Sequence, residues 1–257
     1  MTYICLYIDI LSSVSMATKT LSRLHHATSP LFSSIHPLCQ VGNDNTGKKL
    51  LSLLQTNGTN VQTQHLTSEN TANIRTALAV LPIYQDGRRG CFFDAASNSS
   101  FHTTDILNMM PPFDTSSSSS NPPGAFLFGY PHLLPQIQGE SLASLFTNIR
   151  TQLYQGGIIV MDLNGVPETS HSTLRTVDDL KRDKVIGAAL SHVDILHMNE
   201  EELVFLTGCE LEKEDAIQEA CSLFLKNGVA ILAVTRGSKG SILMSNTPER
   251  FSKSPQL

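Results

Sequence analysis

No stretch of this chain is apolar for long enough to cross a bilayer as a helix, so an ordinary membrane-spanning protein is excluded. Positive charge is in short supply too. A net charge of -5 and a pI near 6.0 exclude a general binder of nucleic acid or of membrane surfaces. Local dipoles can still hold a small anion. The cysteines Cys5, Cys39, Cys91, Cys209 and Cys221 form no C-x-x-C pair, and the histidines fall in no metal spacing. A disulfide framework and a zinc site are therefore not expected, and a reducing compartment is. The apolar start Tyr3 to Leu11 holds Asp9 and has no basic leader, which argues against a secretory signal. Without such a signal the sequons at Asn57 and Asn98 carry no meaning.

The expected location is the cytoplasm. One segment offers an alternative: residues 12–36 are rich in Ser, Thr and His, carry Lys19 and Arg23, and contain no acidic residue. That composition suits an organelle transit peptide. It also leaves Ala17 to Leu24 readable as a core helix.

With 257 residues, 40% hydrophobic and 16% charged, the chain has material for one α/β domain, with or without a small appendage. Asp44 to Asn57 reads as a helix with Leu50, Leu51, Leu53 and Leu54 on its apolar face, stopped by Asn57-Gly58. Thr76 to Tyr84 reads as extended, Gln85 to Gly90 as a turn carrying solvated Arg88 and Arg89, and Cys91 to Asp94 as the returning arm. Pro82 confines the first arm to an edge. The serine run within residues 114–124 predicts a surface loop without chemistry.

From Ala125 the chain alternates. Strands are expected at Ala125–Phe128, Gly157–Met161, Val193–Met198, Val229–Val234 and Ser241–Met244. Helices are expected around Leu142–Leu153, Leu174–Leu190 and Glu214–Lys226. Such alternation means crossover units on a parallel sheet, with ligands bound at the carboxyl ends of the strands. A polar stretch from Ser245 to Leu257 reads as a tail.

Three strand ends carry polar groups suited to chemistry. Asn199-x-x-Glu202 is a helix-capping pair, and the same geometry offers helix-start amides to phosphate and a carboxylate to Mg²⁺ through water. Thr235-x-Gly237-x-x-Gly240 is a tight turn, or a loop whose hydroxyl and amides face phosphate oxygens. Asp162 either faces a ligand or caps the turn at Asn164-Gly165.

Taken together these segments resemble the ribokinase-like (PfkB) family of sugar and nucleoside kinases. Asn199-Glu200-Glu201-Glu202 is similar to its N-x-x-E motif, and Thr235 to Gly240 to its T-x-G-x-x-G nucleotide loop. Val41-Gly42-Asn43-Asp44-Asn45-Thr46-Gly47 resembles V-G-D-D-x-x-G with Asn43 in place of Asp. Thr76 to Phe101 resembles the family's lid strands, with Asn98-Ser99-Ser100 where A-N-A is usual, and Phe128-Gly129-Tyr130 lies where related kinases approach the sugar.

The resemblance implies a three-layer α/β sandwich with a mostly parallel sheet and a small β-lid. The ribokinase-like domain would span residues 17–244, with lid strands at about 76–101, an N-terminal extension at 1–16 and the tail at 245–257. It implies ATP and Mg²⁺ as cofactors and a small-molecule sugar as partner rather than nucleic acid or membrane. The oligomeric state is open, with an exposed lid hairpin as a surface through which two copies could pair. ATP would meet Asn199, Thr235, Arg236, Gly237, Ser238 and Gly240, Mg²⁺ would meet Glu202, and Gly129 and Asp162 would lie on the substrate side.

The family's Gly-Gly-Asn sugar element and its G-A-G-D motif, which holds the catalytic base, do not occur in these 257 residues. No catalytic residue is therefore assigned. The expectation is a PfkB-type chain trimmed at both ends, transferring the γ-phosphoryl group of ATP to a sugar hydroxyl weakly or not at all. The alternative is a nucleotide-binding pseudokinase or scaffold. A dinucleotide-binding α/β protein is disfavoured because no Gly-rich turn follows a first strand.

Overall fold

The computed structural model describes residues 3–7, 34–55, 64–67, 74–80, 82, 92–110, 123–154, 156–165 and 176–251. The turn at 85–90 with Arg88 and Arg89, the serine run at 114–120, the Ala17–Leu24 segment and Leu174 lie outside them. Two compact units result: Met1–Pro112 with Leu133–Gln136, and Phe113–His132 with Ile137–Leu257.

In the first unit, strands β1 (Tyr3–Tyr7), β2 (Ser34–Val41) and β3 (Gln64–Thr67) pair in parallel. Residues 3–7, read from the sequence within an extension, are thus a sheet strand, and Ile35 and His36, the end of the transit-like stretch, are buried in β2. Helix α1 (Asn45–Gln55) buries Leu50 and Leu54, while Leu53 stays exposed. The Val41–Gly47 stretch is held by the Asp44 carboxylate. Asp44 Oδ1 accepts from Gly47 N and from the Thr76 hydroxyl, both at 2.7 Å, and Asp44 Oδ2 accepts from Thr76 N at 2.7 Å. Gly42 admits no side chain, because a Cβ there would lie 2.3 Å from Ile74 O. Strands β4 (Leu78–Val80) and β5 (Phe92–Asp94) form the expected antiparallel hairpin. A 3-10 turn at Ala96–Ser100 and helix α2 (Thr103–Met109) follow, with Phe101 and Ile106 in the core.

The second unit carries strands β6 (Pro123–Gly129), β7 (Ile158–Asp162), β8 (Ile195–Asn199), β9 (Ile231–Thr235) and β10 (Ser241–Ser245), ordered β10-β9-β8-β7-β6. The pairs from β6 to β9 are parallel and β10 is antiparallel to β9. Pro123 and Gly124, assigned from composition to the serine loop, instead begin β6, and Tyr154 N donates to Pro123 O at 2.8 Å. Helix α3 (Glu140–Gln152) lays Leu142, Leu145, Phe146 and Ile149 on the sheet, and Phe146 meets Phe126 and Phe128 edge-on.

The amphipathic helix expected through Leu190 breaks in two. Helix α4 (Val177–Lys181) ends, and a 3-10 turn takes over at Gly187–His192. Asp183 Oδ1 accepts from Val185 N and Ile186 N at 2.9 Å, a local bond that competes with continuing the helix. Helix α5 (Glu200–Thr207) ends at Gly208 in the left-handed conformation, and α6 (Glu214–Lys226) buries Ile217, Ala220, Cys221 and Phe224 at helical spacing.

Residues 246–251, expected as tail, are docked. Asn246 donates to Leu225 O and Val229 O, and a short helix α7 (Pro248–Phe251) brings Arg250 to the fully buried Asp194. Arg150 reaches the other oxygen of Asp194 at 2.6 Å, and Ile159 N donates to it at 2.7 Å. A buried carboxylate tolerates this position because two guanidinium groups and an amide compensate it.

Candidate functional site

The parallel register sets the polar residues in a row along one edge of the second unit's sheet. Gly129 pairs with Asp162, Asp162 with His197, and Asn199 with Thr235. The two motif-bearing strand ends are therefore immediate neighbours, at the edge where open α/β sheets bind ligands.

At the first of them Asn199 caps α5. Its Oδ1 accepts from Glu202 N at 2.8 Å, and Glu202 Oε2 accepts from Asn199 N at 2.9 Å, a complete capping box. Glu202 does more. Its Oε1 also accepts from Gly165 N, so one buried carboxylate ties the turn after β7 to the start of α5. Burial pushes the Glu202 carboxyl above its ordinary range, opposed by the two amides.

Asp162 closes the turn as one of its two sequence readings expected, and takes a further partner. Asn164 Nδ2 donates to Asp162 Oδ2 at 2.7 Å, and His197 Nδ1 lies 2.7 Å from Asp162 Oδ1. That hydrogen bond to the carboxylate raises the His197 pKa. Three unusual backbone positions meet here: Tyr130 at φ 56°, Asn164 at φ 48° and Gly165 at φ 119°. A Cβ on Gly165 would sit 2.8 Å from the His132 ring, whose pKa burial lowers to about 4. Non-glycine residues held at positive φ mark sites where the fold over-determines the backbone, and such positions cluster at ligand sites.

Beside these residues lies a pocket of about 440 Å³, lined by Tyr130, Asn164 and Gly165 among them. Tyr130 and Phe205 supply rings, Asn164 and Asn199 amides, and Glu201 and Glu202 carboxylates around Gly165. Sequence reading found Asn199 and Glu202 and set Tyr130 within the segment that approaches the sugar, but gave no site role to Asn164, Gly165, Glu201 or Phe205. The Asn164-Gly165 pair was visible only as a turn. His197 shares its face of the strand with Ile195 and Asn199, opposite the buried Leu196 and Met198, and carried no local signal.

The second strand end is open. Thr235 is exposed, and the loop after it turns through a 3-10 segment at Gly237–Lys239. Arg236 N donates to Gly240 O at 2.8 Å, closing the β9–β10 hairpin. Gly237 at φ 55° and Gly240 at φ 87° serve the turn, and a Cβ on either meets nothing within 4 Å. Ser238 is exposed on the same turn, while the Arg236 guanidinium is folded back toward Glu200 and Glu214.

The donors along this edge are hard oxygen atoms, which suit Mg²⁺ rather than a soft metal. Among the described residues no group of three or more His, Cys, Asp or Glu is placed to hold a metal ion. Both Glu202 oxygens already accept an amide, so Glu202 would act on the ion through water, and Glu201 stands on the same pocket wall.

Known proteins share this architecture. The chain has the ribokinase-like α/β fold, with a mostly parallel sheet. It is similar to the structure of Arabidopsis thaliana ribokinase complexed with ribose and ATP, at TM-score 0.60 and 17% identity, over 95% of this chain and 74% of that one. Ribokinase from Giardia lamblia matches at TM-score 0.64 and 11% identity, over 97% and 73%. Fructokinase from Xylella fastidiosa matches at TM-score 0.62 and 17% identity, over 95% and 76%. Residues 140–256, which hold both the Asn199 cap and the Thr235 loop, match the family model of the pfkB family carbohydrate kinases. The expected ribokinase-like fold is thereby borne out, and so is the resemblance to the PfkB family, through residues 140–256. No curated protein matches the chain. Among the described residues no helix is long and apolar enough to cross a membrane.

Proposed function

We propose that this chain binds ATP with Mg²⁺ across the ends of β8 and β9 and serves PfkB-type transfer of the γ-phosphoryl group to a sugar hydroxyl. The observation that carries the reading is the Asn199–Thr235 register pair, which brings the N-x-x-E cap and the T-x-G-x-x-G loop side by side. Asn199, with α5 behind it, and Thr235, Gly237, Ser238 and Gly240 face the phosphates. Arg236 supplies charge to the loop, and Glu202 orients the magnesium hydration shell. The bound ion would neutralise charge on the phosphates. Gly129 and Asp162, on the neighbouring strands, form the substrate side. A relative of the same fold bears ribose and ATP in its structure, which supports a sugar as acceptor.

These 257 residues contain no Gly-Ala-Gly-Asp, so this stretch by itself supplies neither the base nor the helix-start amides of that motif. Strong nucleotide binding with little turnover is the expected behaviour. Leu78, Val80 and Phe92 are exposed on the β4–β5 hairpin, which supports pairing of two copies there.

Thermal melting with and without ATP and Mg²⁺, run beside a turnover assay on a sugar panel, tests the reading. At a hundred times Kd, ATP should stabilise the chain by about 2.7 kcal/mol. No shift at saturating ATP would sink the nucleotide assignment. Robust turnover would sink the inactivity claim. A shift without turnover, even in a longer product that contains Gly-Ala-Gly-Asp, would favour the pseudokinase.

A further inference from the structure

Glu200 is the first residue of α5, yet its carboxylate is not needed for the cap, which Asn199 and Glu202 complete between them. It turns instead toward the neighbouring strand end. Glu200 Oε2 lies 3.6 Å from Arg236 Nε and 3.8 Å from Lys239 Nζ, the two cations of the Thr235–Gly240 loop. Both Glu200 Oε2 and Arg236 Nε are buried and make no hydrogen bond. The contact is therefore charge without a bond. Arg236 is anchored elsewhere, by Nη1 donating to Glu214 Oε2 at 3.2 Å.

A buried carboxylate oxygen without a donor, and a buried guanidinium N–H without an acceptor, are each incompletely satisfied. Their mutual attraction keeps them together, but the pair leaves hydrogen-bonding capacity unused. A phosphate oxygen is a better partner for that N–H, since the guanidinium fork matches phosphate geometry. Lys239, more than half exposed at its side chain, is free to follow the stronger anion.

We propose that Glu200 is a built-in counter-anion of the phosphate loop. It holds Arg236 and Lys239 when no phosphate is bound and yields them to the incoming nucleotide, so it sets affinity by opposing it. The inference rests on the nucleotide reading above and adds to it a residue that works against binding. No bond is made or broken; two cations exchange one anionic partner for another.

Calorimetric titration with ATP and Mg²⁺, inorganic tripolyphosphate and adenosine tests it in wild type, Glu200→Gln, Arg236→Ala and the double variant. Glu200→Gln should bind ATP and tripolyphosphate about three- to tenfold tighter, the effect of removing one like charge beside a partly exposed phosphate site. Adenosine affinity should not change, and the gain should vanish when Arg236 is absent. Wild type that binds ATP while Glu200→Gln binds it equally or more weakly would overturn the proposal and leave the nucleotide reading intact. So would an equal gain for adenosine, or a gain that survives loss of Arg236. Wild type that binds neither ATP nor tripolyphosphate sinks both readings. If Glu200→Gln melts early, Glu200→Ala provides the same comparison.

Discussion

The two strand ends that share the site are built in opposite ways. At β8 the capping groups are paired: Asn199 and Glu202 satisfy each other, and Glu202 accepts a second amide from Gly165. At β9 the loop is exposed, its glycines meet nothing within 4 Å, and its arginine is held partly by charge alone. One end is a corner with a single geometry and the other is a surface that can rearrange. The proposed nucleotide, flexible and highly charged, would benefit from both, because a rigid corner orients and an unsaturated loop conforms.

Three substitutions would break or sharpen that contrast. Glu202→Ala strips two backbone amides of their acceptor in a buried corner, and a loss of about 2–4 kcal/mol is expected in denaturant unfolding. A loss below about 1 kcal/mol would mean that water satisfies the corner as well as the carboxylate does, and the claim of a rigid end would fall. Gly237→Ala, at φ 55° with open space around it, should cost only backbone strain, about 1 kcal/mol. A much larger cost would show that the loop is packed rather than open.

The smallest effect is a slope. Because the Asp162 hydrogen bond raises the His197 pKa, the pair stabilises the fold fully below the ordinary imidazole value of 6.5. That contribution is lost as pH rises through the raised folded value. Melting temperatures across this window should fall in wild type, and less in His197→Gln, where no proton is gained or lost. An identical slope in both would remove His197 from the account.

Much of the second unit was legible because its punctuation is local. The apolar run into Asn199, the Glu three residues on and the Gly at 208 spell strand, cap and stop within one short segment. The Thr235 turn was readable for the same reason, since positive φ at Gly237 and Gly240 is a property of those residues and their neighbours. The break before Gly187 was not read, although Asp183 causes it locally. Apolar spacing through Leu180 and Leu190 outweighed a capping side chain in the pattern. The tail was misjudged because its polarity looked solvated, whereas Arg250 is drawn in by a carboxylate 56 positions away.

The remaining parts of the site share one trait, distance along the chain. Gly165 and Glu202 meet across 37 positions, and Asp162 and His197 across 35. Amino-acid order was enough to establish alternating strands and helices, two polar strand ends and a resemblance, since each depends on contacts spanning only a few residues. Folding in three dimensions chose which ends became neighbours, which carboxylate became a buried tie and which stayed a loose counter-charge. Strand register and burial settle those matters, and both are created when remote segments come together.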